Sequence, residues 1–142
     1  MRILYERGGD LARRATVNKE IKDEWVKALR SGEYKQARKS LRKGNKYCCL
    51  GVLCDLSKKG KWTSDSKTPR DSCGRLVKEY KYVPELGTVG YGFLPQDIRA
   101  WAGMRSNSGH WSTEQKSLAD MNDRGDSFKV IADVIEKNWE VL

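Results

Sequence analysis

The chain has 142 residues, a length at which a single domain can bury a sizeable core without disulfides or metals. Five Trp and six Tyr distinguish it from disordered chains, which are poor in such residues. The formal net charge of +9 argues against an acidic mimic of DNA, and no apolar run is long enough to cross a membrane.

The positive charge is concentrated near the N-terminus. Residues 1–50 hold 14 Lys and Arg against 6 Asp and Glu, whereas residues 101–142 hold 5 against 7. This excess of positive charge predicts that the N-terminal half binds an anionic partner. The alternative is a basic surface that contacts only solvent and has no partner. The first residues carry charge where a signal peptide needs an apolar stretch, so we expect a cytoplasmic protein.

The first predicted element is a helix that follows an N-terminal extension. Residues 1–15 lack clear periodicity, so we expect an N-terminal extension over residues 1–16 and a single domain over residues 17–142. Thr16 or Asn18 can cap the helix, and Gly32 can end it. Apolar residues recur on one face at helical spacing, namely Val17, Ile21, Trp25, Ala28 and Leu29.

A basic β-hairpin is predicted next. Residues 38–42 and 46–49 flank the pair Gly44-Asn45, which suits a two-residue type II′ turn. Because the two strands are short and basic, we expect one of their faces to contact solvent.

The run YCCLGVLCDL at residues 47–56 predicts a central buried helix over residues 49–58, with a strand as the alternative. Gly51 weakens a helix, so its presence indicates a neighbour packed closely against it. The cysteine spacing fits neither a secreted disulfide framework nor a zinc site. We therefore expect Cys48, Cys49 and Cys54 to be buried thiols that act as small hydrophobic residues.

A reactive thiol is the alternative reading of the cysteines. Cys48 lies beside Lys46 in the sequence, and a nearby cation can lower the pKa of a thiol. A pairing with His110, the one histidine of the chain, would complete a nucleophile and its base.

The second half is predicted to begin with loops and short strands. Residues 60–74 are polar and rich in turn formers, which indicates a loop. Residues 75–83 alternate weakly and predict a strand, and residues 89–93 predict a strand or an irregular extension among glycines.

Three helices are predicted to complete the chain. The first begins at Leu94-Pro95 and ends at Gly103. The second carries Leu118 and Met121, with Ser112 and Gln115 as its capping box. The third carries the apolar stripe Phe128, Ile131, Ala132, Ile135 and Trp139. The predicted fold class is α+β, a single small domain of about five helices packed on a small antiparallel sheet or hairpin.

The turn DMNDRGD at residues 120–126 has the opening pattern of a calcium-binding EF-hand loop. Arg124 and Ile131 occupy two positions at which such a loop needs oxygen ligands, so no calcium site is predicted. We expect a helix–helix turn with Asp126 as the cap of the last helix. No metal and no cofactor is predicted for the chain.

Cations interleaved with aromatic residues give the strongest functional pattern. Arg and Lys side chains bind phosphates, and aromatic rings stack on bases. We expect Arg38, Arg42 and Arg75 to meet phosphates of an anion or nucleotide, with Tyr91 stacking on a base.

The order of four motifs resembles a group of small hypothetical proteins common in bacteriophage genomes. The motifs are WVKALRSGEYKQ, LRKGNKYCCLGVLCDL, YGFLPQDIRAWAG and LADMNDRGDSFKVIADVIE, and the resemblance covers residues 17–137. It implies a phage accessory protein that works in the cytoplasm of a bacterial host. It also implies that Tyr91, Asn122 and Asp123 are positions typical of the family, and Asn122 and Asp123 complete the candidate site.

Three functional hypotheses follow. The first is a binding protein for an anionic partner, either a nucleotide signal of host defence or a nucleic acid. The second is a protein–protein inhibitor of a host enzyme with Trp62 and Trp111 as interface anchors. The third is a small hydrolase that uses the carboxylates of Asp120, Asp123 or Asp126.

Overall fold

The computed structural model describes residues 18–64, 78–85, 87–112 and 116–142. Within these ranges the helices are α1 (Lys19–Ser31), α2 (Cys49–Ser57), α3 (Gln96–Ala102), α4 (Leu118–Asp123) and α5 (Phe128–Asn138), and a 3-10 turn follows at Trp139–Val141. The strands are β1 (Lys35–Gln36), β2 (Arg42–Lys43), β3 (Lys46–Tyr47), β4 (Gly60–Ser64) and β5 (Glu79–Pro84). They form one sheet in the order β1-β3-β2-β5-β4, which confirms the predicted α+β class.

Helix α1 forms as its local signals predict. The Asn18 side chain accepts hydrogen bonds from the backbone N–H groups of Glu20 and Ile21, and Gly32 ends the helix with a left-handed φ of 81°. Trp25 and Leu29 are buried against α5 and α2, because the apolar stripe faces the core. Lys22 is buried on the same helix and forms ion pairs with Asp23 and Glu136.

The predicted hairpin is β2–β3, and it is shorter than expected. Lys43 pairs with Lys46 across Gly44-Asn45, and Gly44 has the positive φ of 57° that the first position of a type II′ turn requires. Residues 38–41 are not a strand, because Lys39 adopts a left-handed φ of 66° that interrupts the extended backbone. Strand β1 adds to β3 in parallel, so the sheet is mixed and not purely antiparallel.

Strand β4 corrects the prediction of a loop over residues 60–74. Its five residues pair antiparallel with β5, from Gly60 opposite Pro84 to Ser64 opposite Tyr80. Gly60 is required there, because a Cβ on it would lie 2.3 Å from the Val83 carbonyl oxygen. The remainder of the predicted loop lies outside the described residues, as does the predicted N-terminal extension.

Helix α2 lies at the centre of the core, as the Cys-rich run predicts. Cys48, Cys49 and Cys54 are buried among the apolar residues of α1, α4 and α5. Gly51 confirms the expected close approach, since a Cβ there would overlap the backbone carbonyl of Leu41. The Trp25 indole N–H donates a 2.9 Å hydrogen bond to the Cys49 carbonyl and fixes α1 on α2.

The caps of the last two helices differ from the prediction. Ser117 caps α4 through Asp120 N–H, so the predicted capping box from Ser112 is wrong. Ser127 caps α5 through Val130 N–H, and Asp126 instead pairs with Arg124 at 2.7 Å. No helix in the described ranges combines the length and the apolarity that a membrane span requires.

Candidate functional site

Alternation along the strands gives the sheet two chemically different faces. The inner face, which packs on α2, carries Arg42 and the four aromatic residues Tyr47, Trp62, Tyr80 and Tyr82. Its rings contact one another edge to face, with centroids 5.6 Å apart for Tyr47 and Trp62 and 4.8 Å apart for Trp62 and Tyr82. The Asp55 carboxylate of α2 accepts from the Trp62 indole N–H at 3.0 Å and holds this face on the helix.

Arg42 belongs to the inner face. Its guanidinium carbon lies 4.1 Å from the ring centroid of Tyr80, 5.3 Å from that of Tyr47 and 5.7 Å from that of Trp62. Arg42 Nε also donates a 2.7 Å hydrogen bond to the Gly44 carbonyl, which closes the hairpin turn. A half-buried cation held by rings in this way stabilises the sheet. The structure therefore does not place Arg42 with the solvent-facing cations.

The opposite face of the sheet carries five lysines beside Thr63, Glu79 and Val83, and we call it the lysine face. Its lysines are Lys35, Lys43, Lys46, Lys61 and Lys81. Lys35, Lys46 and Lys43 form one lateral row across β1, β3 and β2, because Lys46 is paired with both of the others. Lys81 lies on β5 opposite Thr63, and Lys61 lies one row further along β4.

Charge on the lysine face is nearly uniform. Among the described strand residues, Glu79 is the acid on this face, opposite Lys43. Lys35, Lys46 and Lys61 are exposed, and Lys43 and Lys81 are half-buried, as expected where an apolar stem packs on the sheet and the ammonium group stays in water. Like charges directly opposite across strands destabilise a sheet, so this row costs folding free energy.

Tyr91 lies at the edge of the lysine face. The loop of residues 88–93 runs beside β5, where Gly90 exchanges two backbone hydrogen bonds with Tyr82 at 2.8 and 2.9 Å. This pairing places Tyr91 on the side of Lys81, whose Nζ lies 5.9 Å from the ring centroid of Tyr91. Tyr91 is 54% exposed, so the predicted stacking residue is accessible.

Arg38 and Asp123 lie together at a second place, the turn between α4 and α5. The Asp123 carboxylate accepts a 2.8 Å hydrogen bond from the Lys39 backbone N–H and so supports the left-handed turn at Lys39. The exposed Arg38 side chain lies over Gly125, where a Cβ would approach its Nη2 to 2.6 Å. Arg75, the remaining predicted phosphate ligand, lies outside the described residues.

Asn122 is part of the core and does not line an accessible site. It is 1% exposed. Its amide nitrogen donates to the Ala37 carbonyl at 2.7 Å, and its oxygen accepts from Gln36 Nε2 at 2.9 Å and from the Cys49 backbone N–H at 3.1 Å. The prediction of a ligand contact at Asn122 is therefore corrected: this amide joins residues 36–37 to the first turn of α2.

The buried cysteines are protonated thiols. Burial raises the pKa of Cys48 from 9.0 to about 12 and raises the pKa values of Cys49 and Cys54 well above 9.0. Lys46 does not activate Cys48, since its side chain lies on the lysine face while Cys48 is in the core. Within the described ranges, no group of three His, Cys, Asp or Glu side chains is placed to hold a metal ion.

The residues on which the inhibitor and hydrolase hypotheses depend make contacts within the protein itself. Trp62 is a residue of β4, half-buried in the ring contacts of the inner face. Trp111 is half-buried, with Lys116 Nζ 5.6 Å from its ring centroid. Of the carboxylates, Asp123 accepts from Lys39 N–H and Asp126 pairs with Arg124, which are structural roles at a turn.

Part of the lysine face lies in segments that the sequence predicts as basic or as strand, and part does not. Lys43 and Lys46 lie in the predicted basic hairpin and Lys81 lies in the predicted strand at residues 75–83, whereas Lys35 and Lys61 lie in neither. The alternation of Lys61 and Thr63 with Trp62 is the sequence signal that indicates a two-sided strand at this position. The turn formers of residues 60–74 conceal this signal because they predict a loop.

The fold and its surface define a small α+β domain whose sheet has an aromatic face against a helix and a lysine face in solvent. Residues 17–139 match the family described as a domain of unknown function, DUF8296, and the chain therefore belongs to that family. Searches among curated proteins and among solved structures found no match.

Proposed function

We propose that this protein is a binding protein for nucleic acid and that the lysine face is its contact surface. The observation that carries the proposal is the presence of five lysines on one face of a five-stranded sheet, three of them in a single row. Such a row is unfavourable for folding by itself, and a polyanion relieves the repulsion because each phosphate lies between ammonium groups.

The shape of the lysine face favours an extended polyanion over a single small nucleotide. With about 4.8 Å between neighbouring strands, five strands span about 19 Å. Small-ligand sites are concave and enclose most of their ligand, whereas this face is a sheet surface. The nucleotide signal of host defence is therefore the less favoured form of the anionic partner. The resemblance to small bacteriophage proteins supports a role in the cytoplasm of an infected bacterium.

Salt-dependent binding tests the proposal. Binding of labelled single-stranded DNA is measured by fluorescence anisotropy over a range of salt concentrations. If all five lysines contact phosphates, log Kd changes with log salt concentration with a slope of about 3.5, at about 0.7 per contact. The triple variant Lys35→Ala, Lys46→Ala, Lys61→Ala should lower that slope by about 2.

The matched control has the same net charge but keeps the lysine face. Lys19→Ala, Lys27→Ala and Lys129→Ala remove three exposed lysines from α1 and α5. This control should keep both the affinity and the slope of the unmodified protein. An equal loss in the control would mean that binding follows net charge alone, and that result would refute the lysine face as the contact surface.

A further inference from the structure

The lysine face continues into an exposed apolar strip at the loop beside β5. Val89, Tyr91 and Phe93 are 36, 54 and 51% exposed, and all three line the same surface depression at this loop. Large apolar side chains in solvent next to a charged face mark a contact surface.

The strip is exposed because the loop is fixed in that position. The backbone N–H and carbonyl of Gly90 are both hydrogen-bonded to the backbone of Tyr82, and the Tyr91 carbonyl accepts a 2.8 Å hydrogen bond from Leu41 N–H. Leu94 N–H donates to the Asn107 carbonyl at 2.9 Å and closes the far end. The rings are therefore presented to solvent by anchored backbone, which lowers the entropy cost of binding.

A depression of about 290 Å³ lies along the loop, lined by residues 88–96 and Asn107. Tyr91 and Phe93 both contribute to its wall, and Lys81 Nζ lies 5.9 Å from the Tyr91 ring centroid. Aromatic surface next to an ammonium group on the lysine face matches a nucleotide whose base leaves the stack while its phosphate remains on the cation.

We infer that the polyanion is a single-stranded nucleic acid and that Tyr91, with Phe93, stacks on an unpaired base; this inference rests on the proposed function. A duplex offers phosphates to the lysine face but keeps its bases stacked within the helix, so it cannot use the rings without unpairing. The rings therefore give the protein its preference for single strands, while the lysines give it affinity for any polyanion.

The test compares three ligands with the same protein: a single strand of about 12 nucleotides, within the site sizes of small single-strand binding domains, a duplex of that length, and heparin. We expect the single strand to bind about tenfold or more tightly than the duplex. Tyr91→Ala should lower single-strand affinity at least about fivefold and leave heparin affinity and the salt slope unchanged.

Two variants separate stacking from other causes. Tyr91→Phe keeps the ring and should keep the affinity for the single strand, whereas Tyr91→Leu keeps an apolar side chain and should lose it. Val130→Ala removes an exposed apolar side chain from α5 and should change nothing. Tyr91→Ala, Tyr91→Phe and Tyr91→Leu should keep the melting temperature of the unmodified protein, because the backbone and not the side chain of residue 91 anchors the loop. Val130→Ala should also keep it, because that side chain is exposed.

The outcomes distinguish this inference from the proposed function. Equal affinity for duplex and single strand, or full affinity of Tyr91→Ala or Tyr91→Leu for the single strand, would overturn the stacking inference while leaving the lysine face intact. Loss of heparin binding in Tyr91→Ala would also overturn it, since heparin has no base to stack. Failure of the proposed function itself would be seen in the lysine variants, as unchanged affinity for all three ligands.

Discussion

Asn122 and Cys49, 73 residues apart in the chain, are joined by a 3.1 Å hydrogen bond from the Cys49 backbone N–H to the Asn122 side-chain oxygen. Cys49 is the first residue of α2, where backbone N–H groups have no partner within the helix. The same amide of Asn122 also binds Gln36 and Ala37. A single buried side chain thereby holds the central helix, the segment before the hairpin and α4 in register.

We predict that Asn122→Ala destabilises the fold without touching the binding surface. Truncation leaves the Cys49 N–H and the Ala37 carbonyl buried without partners, which costs about 3 kcal/mol. A melting temperature lower by about 10 °C is the expected result in a thermal scan. Lys129→Ala, at an exposed position of α5, should change the unfolding free energy by less than about 0.5 kcal/mol.

Binding measured below the melting temperature distinguishes this structural role from the ligand contact that the sequence suggested. Asn122 lies in the core, and the lysine face lies on the opposite side of the sheet from α2. The folded Asn122→Ala protein should therefore retain its affinity for nucleic acid. Loss of binding at an unchanged melting temperature would show that Asn122 contacts the ligand.

A second prediction concerns alkaline pH. The unfolded chain releases thiol protons from about pH 9, whereas burial raises the folded-state pKa of Cys48 to about 12 and shifts Cys49 and Cys54 in the same direction. A group whose folded-state pKa is raised contributes stability that is fully present below the unfolded pKa and is lost as pH rises. Each thiol should therefore steepen the loss of stability by up to about 1.4 kcal/mol per pH unit above pH 9.

Urea denaturation at a series of pH values between about 8 and 10.5 measures this effect. Cys54→Ala should have a lower unfolding free energy at neutral pH and a shallower decline above pH 9, because one buried thiol is gone. Val52→Ala creates a cavity in the same helix without removing a titratable group, and its decline should match that of the unmodified protein. Identical declines in all three proteins would contradict the assignment of the thiols as protonated.

The helices were predictable because their signals are local. The sequence predicts Asn18 and Gly32 as the two ends of α1, and the structure has the helix capped by the same residues. Gly51 predicts a closely packed neighbour, and that neighbour is Leu41. The turn Gly44-Asn45 likewise fixes the hairpin by its own conformational preference. The ends of α1 and the hairpin turn each depend on residues within a few positions of one another.

The lysine face could not be derived in the same way. Lys35 and Lys61 lie on this face because of strand pairings between separate segments of the chain. The parallel pairing of β1 with β3 is not connected by a tight turn, so no turn motif in the sequence predicts it. The burial of Asn122 could not be predicted for a related reason. Its position in an Asp-rich turn indicates a polar surface, and only the packing of residues 36–37 against it makes it part of the core.

The last prediction concerns Lys46, which lies between Lys35 and Lys43 in the row of three lysines. Lys46→Glu converts two like-charge cross-strand neighbours into two opposite-charge pairs. Such pairs contribute a few tenths of a kcal/mol each, so we expect the variant to be more stable by about 0.5 kcal/mol at low salt. The corresponding rise in melting temperature is about 1–2 °C.

The same substitution should weaken nucleic-acid binding at least about fivefold, because a carboxylate then faces the phosphates at the centre of the lysine face. Lys27→Glu changes the net charge equally on α1, next to Asp23 and Glu24, and should lower stability by a few tenths of a kcal/mol while keeping the affinity. Opposite changes in stability and affinity at Lys46 would show that the row is retained for binding at a cost to folding. If the Lys46→Glu protein binds nucleic acid with unchanged affinity, the row of three lysines does not contribute to binding.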